Sequence, residues 1–112
     1  MAARAQLTVT DKRRAARHPV DHKVIGEHRL LGDVLLHIAN LSAHGFMIEG
    51  ELAIARGERI TIRLPHIGRI EAHMIWADQG RAGFQFERIV RLDDFNRMID
   101  AIQPNSRMRM RR

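Results

Sequence analysis

The chain has 112 residues and no cysteine, which fits one compact domain and excludes disulfides, thiolate metal sites and cysteine nucleophiles. No apolar run approaches the ~20 residues of a membrane helix, and no signal-peptide core opens the chain, so a protein of the reducing cytoplasm is expected rather than a secreted or membrane-spanning one. The net charge of 19 − 13 = +6 sits at the ends: 5 − 1 = +4 over residues 1–17, +4 from four arginines over 105–112, and 10 − 12 = −2 between them.

Residues 1–10 carry no periodic signal and are expected to be a disordered segment. His22–Leu30 and Asp33–Ala39 read as two strands joined through Leu31-Gly32, with Val34, Leu36 and Ile38 sharing one face of the second. Gly45–Glu49 is a short third strand ended by Gly50. Arg59–Leu64 is the cleanest alternation in the chain, with Ile60, Ile62 and Leu64 inward and Arg59, Thr61 and Arg63 outward. After the turn Pro65-His66-Ile67-Gly68, Arg69–Ala77 alternates again, and Ile70, Ala72, Met74 and Trp76 fall on one face. On that parity Trp76 belongs to the core. Asp78-Gln79-Gly80-Arg81 turns the chain into Ala82–Glu87, a strand with Ala82, Phe84 and Phe86 on one face. The period then changes. Leu92, Phe95, Met98, Ile99 and Ile102 form a helical stripe, with Asp93 and Asp94 in the first turn and Pro104 as the stop. Six short strands at regular spacing and a terminal helix predict an all-β fold, an antiparallel barrel or sandwich with a C-terminal helix. The folded domain spans 11–103, and 104–112 is expected to be a disordered basic tail.

No catalytic constellation emerges. Ser42 has His44 two residues away but no buried acid to complete a triad. His18 and His22 are four apart, yet Pro19 between them argues against the helix that would align them as ligands. The other histidines are scattered over strands and turns, most of them at the surface. No metal, cofactor or enzymatic activity is expected, and no glycine-rich loop opens a nucleotide-binding βαβ unit.

Two segments stand out. Lys12-Arg13-Arg14-Ala15-Ala16-Arg17 is a basic arm just before the first strand, and Asn40-Leu41-Ser42-Ala43-His44-Gly45 lies between the second and third strands. Guanidinium forks bond phosphate oxygens, take O6 and N7 of guanine, and stack on bases. Asparagine, serine and glycine in a tight turn present donors and leave room for a ligand to approach.

In this order and spacing the two segments resemble the PilZ domain, the bacterial receptor module for cyclic di-GMP. Arg13-x-x-x-Arg17 is similar to the family's RxxxR arm and Asn40-x-Ser42-x-x-Gly45 to its (D/N)xSxxG turn. Gly57, Trp76 and Gly83-Phe84-Gln85-Phe86 resemble later landmarks, so the likeness covers about residues 11–102. The resemblance implies a six-stranded antiparallel β-barrel with a C-terminal α-helix, and a ligand on the barrel's outer surface. Arg13 and Arg17 would bond guanine edges and phosphates, Arg14 would add a phosphate or stacking contact, Asn40 and Ser42 would bond a guanine base, and Gly45 would let the turn close. It also implies an adaptor whose arm orders on binding cyclic di-GMP and which acts through a downstream protein partner that the sequence does not identify. Lys12, just before the arm, bears on whether one or two ligands stack, and a homodimer is compatible with the chain. A rival reading is a small barrel binding RNA or DNA through its basic ends. Four phenylalanines and one tryptophan, mostly on predicted inner faces, leave it without an aromatic base platform. A third reading is a protein-interaction barrel with incidental arginines.

Overall fold

A computed structural model describes residues 16–102. Arg13 and Arg14 lie outside them, as do the segments 1–10 and 104–112. The strands are β1 (His18–His28), β2 (Gly32–Leu41), β3 (Gly45–Glu49), β4 (Arg59–Leu64), β5 (Gly68–Asp78) and β6 (Arg81–Phe86), followed by the helix α1 (Leu92–Ile102). Every neighbouring pair is antiparallel, and the strands close into a barrel in the order β1-β2-β3-β6-β5-β4. The expected six-stranded barrel with a terminal helix is the observed fold.

The alternation of apolar residues builds the interior. Leu36 and Ile38 of β2, Phe46 and Ile48 of β3, Ile60, Ile62 and Leu64 of β4, Ile70, Ala72 and Met74 of β5, and Ala82, Phe84 and Phe86 of β6 are all buried in one core. Phe46 stacks on Phe84 with ring centroids 5.0 Å apart and meets Phe86 at 5.7 Å. Helix α1 turns Phe95, Met98 and Ile99 into the same core, and the His18 ring of β1 packs on Phe95 at 5.3 Å. Asp93 and Asp94 occupy its first turn, where the free N–H groups favour negative charge. Between β5 and β6, Gln79 (φ 52°) and Gly80 (φ 76°) both adopt the left-handed conformation that a tight two-residue hairpin turn requires.

Three strands are longer than the pattern predicts, β5 by one residue at each end. β1 starts at His18, because the register irregularity between Pro19 and His22 accommodates a proline that reads as a break. β2 runs on to Leu41, which places Asn40 inside a strand, paired with Pro19, and not in the turn.

One histidine departs from the surface expectation. His28 is 5% exposed, and its Nδ1 accepts from the backbone N–H groups of Leu30 and Leu31, each at 3.1 Å. That fixes the proton on Nε2, which donates to Glu58 Oε1 at 2.8 Å. The ring therefore ties the β1–β2 turn to the residue preceding β4. His28→Ala leaves two N–H groups and a carboxylate without this partner and should cost about 1–3 kcal/mol in urea denaturation. The hydrogen bond from His28 holds the Glu58 carboxyl below its ordinary pKa of 4.5. A depressed folded-state pKa stabilises the fold above the unfolded value, and the contribution fades as pH falls below it. Unfolding of Glu58→Gln should accordingly show a shallower loss of stability on acidification than the wild type.

Candidate functional site

The site is built on the outside of the barrel by one row of residues crossing four strands. Asn40 of β2 opposes Met47 of β3, Met47 opposes Gly83 of β6, and Gly83 opposes Trp76 of β5. Met47 lies between inward Phe46 and Ile48, and Gly83 between inward Ala82 and Phe84, so the row faces out. Strict alternation would send Asn40 inward with Ile38 and Trp76 inward with Met74. Each strand breaks its register at that step, β2 between Ile38 and Asn40 and β5 between Met74 and Trp76. One extra residue, Ala39 or Ile75, reverses the parity and returns the next side chain to the surface.

This corrects the placement of Trp76 in the core. The indole is half-buried and lies over Gly83, where an added Cβ would come within 2.6 Å of Cε2 and 2.8 Å of Cδ1. The glycine in mid-strand was the available signal, since it marks a place where another group approaches the backbone.

The segment after Asn40 is held as the motif suggests. Leu41 and Ala43 are buried, 0% and 1% exposed, which turns Asn40, Ser42 and His44 the other way. Ser42 N–H donates to the Gly45 carbonyl at 2.9 Å, and Ser42 Oγ accepts from His44 N–H at 3.1 Å. His44 O accepts from Phe86 N–H at 2.8 Å, pinning the turn to β6. Asn40 Nδ2 points at Met47 Sδ, 3.8 Å away. Gly45 has no left-handed backbone angle. Its requirement is space: a Cβ there would overlap the Phe84 carbonyl oxygen and lie 2.9 Å from its carbon.

These elements line one cleft of about 250 Å³ with Arg17, Asn40, Ser42, His44, Met47, Trp76 and Gln85 among its walls. Arg17 precedes β1 and reaches the cleft because His18 pairs with Leu41 and Pro19 with Asn40. It has no ion-pair partner among the described residues. Among the described residues no acidic side chain lines the cleft. On the β5–β6 side, Glu87 is engaged by His73 Nδ1 at 2.9 Å and Arg59 Nε at 3.3 Å, so its charge is compensated locally. The floor thus offers a flat indole, an amide, a hydroxyl and a guanidinium in a cationic setting, suited to a planar, anionic ligand.

Of the residues singled out in the sequence, Arg17, Asn40, Ser42 and Gly45 come together here, while Arg13 and Arg14 lie outside the described residues. Trp76, Met47, His44 and Gln85 join them without having been anticipated. His18 and His22 do not converge with a third ligand: among the described residues no group of three or more His, Cys, Asp or Glu side chains could hold a metal ion. Burial pushes the His22 imidazole below its ordinary pKa. Nor is there a described helix long and apolar enough to cross a membrane.

Two glycine substitutions test this geometry. Gly45→Ala pushes against backbone, which cannot swing aside, and should destabilise the fold by about 1–3 kcal/mol. Gly83→Ala pushes against a side chain that can move. It should preserve the fold and shift the emission of Trp76, the single tryptophan, as the indole lifts into solvent.

No curated protein matches the chain significantly. The family model of the PilZ domain matches residues 11–102, a span holding the arm, every strand, the cleft and α1. With barrel, motifs and family match in agreement, the chain belongs to the PilZ domain family, whose members are receptor modules for cyclic di-GMP.

Proposed function

We propose that the chain is a non-enzymatic receptor that binds cyclic di-GMP in the outer cleft and passes the signal to a partner protein. The observation that carries this reading is the convergence of Arg17, Asn40, Ser42 and Gly45 on one cleft that, among the described residues, is lined by no acid. Cyclic di-GMP presents two guanine bases and two phosphates. A guanidinium matches O6 and N7 of guanine or two phosphate oxygens. The Asn40 amide and the Ser42 hydroxyl bond a base edge, and the Trp76 indole offers its face to a purine. The cleft, at about 250 Å³, falls below the ~300 Å³ at which pockets begin to enclose drug-sized ligands. A dinucleotide overfills it and needs a cover. Arg13 and Arg14 precede Arg17 closely enough to provide that cover, and an anion between them relieves the mutual repulsion of the guanidiniums. Drawing this arm onto the barrel changes the surface that a partner meets.

Calorimetric titration with cyclic di-GMP, beside GMP, GTP and an oligonucleotide, tests the reading. Tight binding of the cyclic dinucleotide alone is expected, and preference for the oligonucleotide would overturn it. Arg13→Ala and Arg17→Ala should each weaken binding by ~2–5 kcal/mol, thirtyfold or more. Asn40→Ala and Ser42→Ala should each cost ~1–2 kcal/mol. Hydrogen exchange should gain protection on binding at 12–20 and 40–46 and none at 105–112.

A further inference from the structure

The outer face of the β1–β2 hairpin carries three successive cross-strand rows. Lys23 opposes His37, Ile25 opposes Leu35, and Glu27 opposes Asp33. Between them Leu36 enters the core while Val24 and Val34 pack against it, so the rows point to solvent. Ile25 is 50% and Leu35 65% exposed, and Leu30 and Leu31 continue the apolar surface to the hairpin tip. Outward positions of a solvated strand are ordinarily polar. Among the described residues the exposed large hydrophobic side chains gather on this hairpin, with Ile75 and Ile89 alone lying elsewhere.

We propose that this face is a self-association surface whose occupant is a second copy of the chain. The order of the rows, basic then apolar then acidic, is complementary to its own reverse. A two-fold axis in the plane of contact, running across the strands along the Ile25–Leu35 row, lays the apolar row on its own image. The same rotation reverses strand direction, so Lys23 meets the partner's Glu27 and His37 meets the partner's Asp33. Rows two residues apart are separated by about 6.7 Å, which sets both charged rows at equal distances from the axis. An axis along the strands would instead bring like charges together, which is unfavourable. Two-fold closure is also the commonest way for identical chains to pair.

The charges involved are free to rearrange. Glu27 now pairs with Arg69 at 3.2 Å and His37 with Asp21 at 2.6 Å. Exposed pairs of this kind contribute little, and Lys23 has no ion-pair partner among the described residues. Strands of 11 and 10 residues present roughly 350 Å² of projected face per copy, against ~800 Å² per partner in a standard interface. The dimer is therefore weak and concentration-dependent. It does not depend on what fills the cleft.

Sedimentation equilibrium of the full chain, free of nucleotide at low salt and up to about 1 mM, tests this. The wild type should show a monomer–dimer equilibrium. Leu35→Glu should weaken it at least tenfold with an unchanged circular dichroism spectrum. Lys23→Glu and Glu27→Lys should each weaken it about tenfold, the double variant K23E/E27K should recover, and an equimolar mixture of the two single variants should associate better than either alone. A wild type that stays monomeric throughout would overturn the proposal, as would a dimer indifferent to Leu35→Glu or a double variant that fails to recover. Retained dimerisation in high salt with loss in Leu35→Glu supports the apolar row as its centre.

Discussion

Two extra residues decide what the outside of this barrel can do. Ala39 in β2 and Ile75 in β5 each break the two-residue side-chain period, and because that period is strict, one added residue moves every later side chain to the opposite face. Without them Asn40 and Trp76 would enter a core that is already full. An amide buried there without a partner would cost about 1–3 kcal/mol. With them, an amide and an indole close the two ends of the row whose middle is Met47 and Gly83. The motif that names the family thus depends on register before it depends on chemistry.

The floor and its cover differ in kind. The floor stands on packed parts: Phe46 and Phe84 stack directly beneath Met47 and Gly83, Leu41 and Ala43 anchor the turn from below, and Gly45 lets two strands approach until a methyl group would not fit. Such a surface is preorganised, and little is lost in ordering it when a ligand arrives. Arg17 instead stands exposed at the edge, with the remaining arginines of the arm just before it in sequence. In the proposed function, recognition of base edges falls to the floor and neutralisation of phosphate to the arm.

Much of this was legible because barrels impose alternation. Arg59–Leu64 and Ala82–Phe86 could be assigned face by face from sequence, and the stripe from Leu92 to Ile102 could only be a helix. What failed did so where a local irregularity overrode the period. Trp76 was read on the parity of Met74, and nothing in the run Met74-Ile75-Trp76 announces a bulge. Gly83, directly opposite on the neighbouring strand, does announce a close approach, but its partner is visible only once the register is known. Gly45 stands in the motif, but its need for space against the Phe84 carbonyl depends on the β3–β6 pairing, which no local pattern shows. His28 was legible only as a histidine near a turn; its burial follows from Glu58, thirty residues on, which no local pattern connects to it.

The proposed function turns on which face of the barrel meets the ligand. Heteronuclear NMR of the chain with methyl-labelled methionine reads that face directly, because Trp76 supplies the single indole resonance and the described methionines divide between the cleft (Met47) and the core (Met74 and Met98, 2% and 0% exposed). On addition of cyclic di-GMP, the indole N–H and the Met47 methyl should shift together while the Met74 and Met98 methyls hold. Binding that leaves the indole and Met47 unmoved would place the ligand elsewhere and contradict the account.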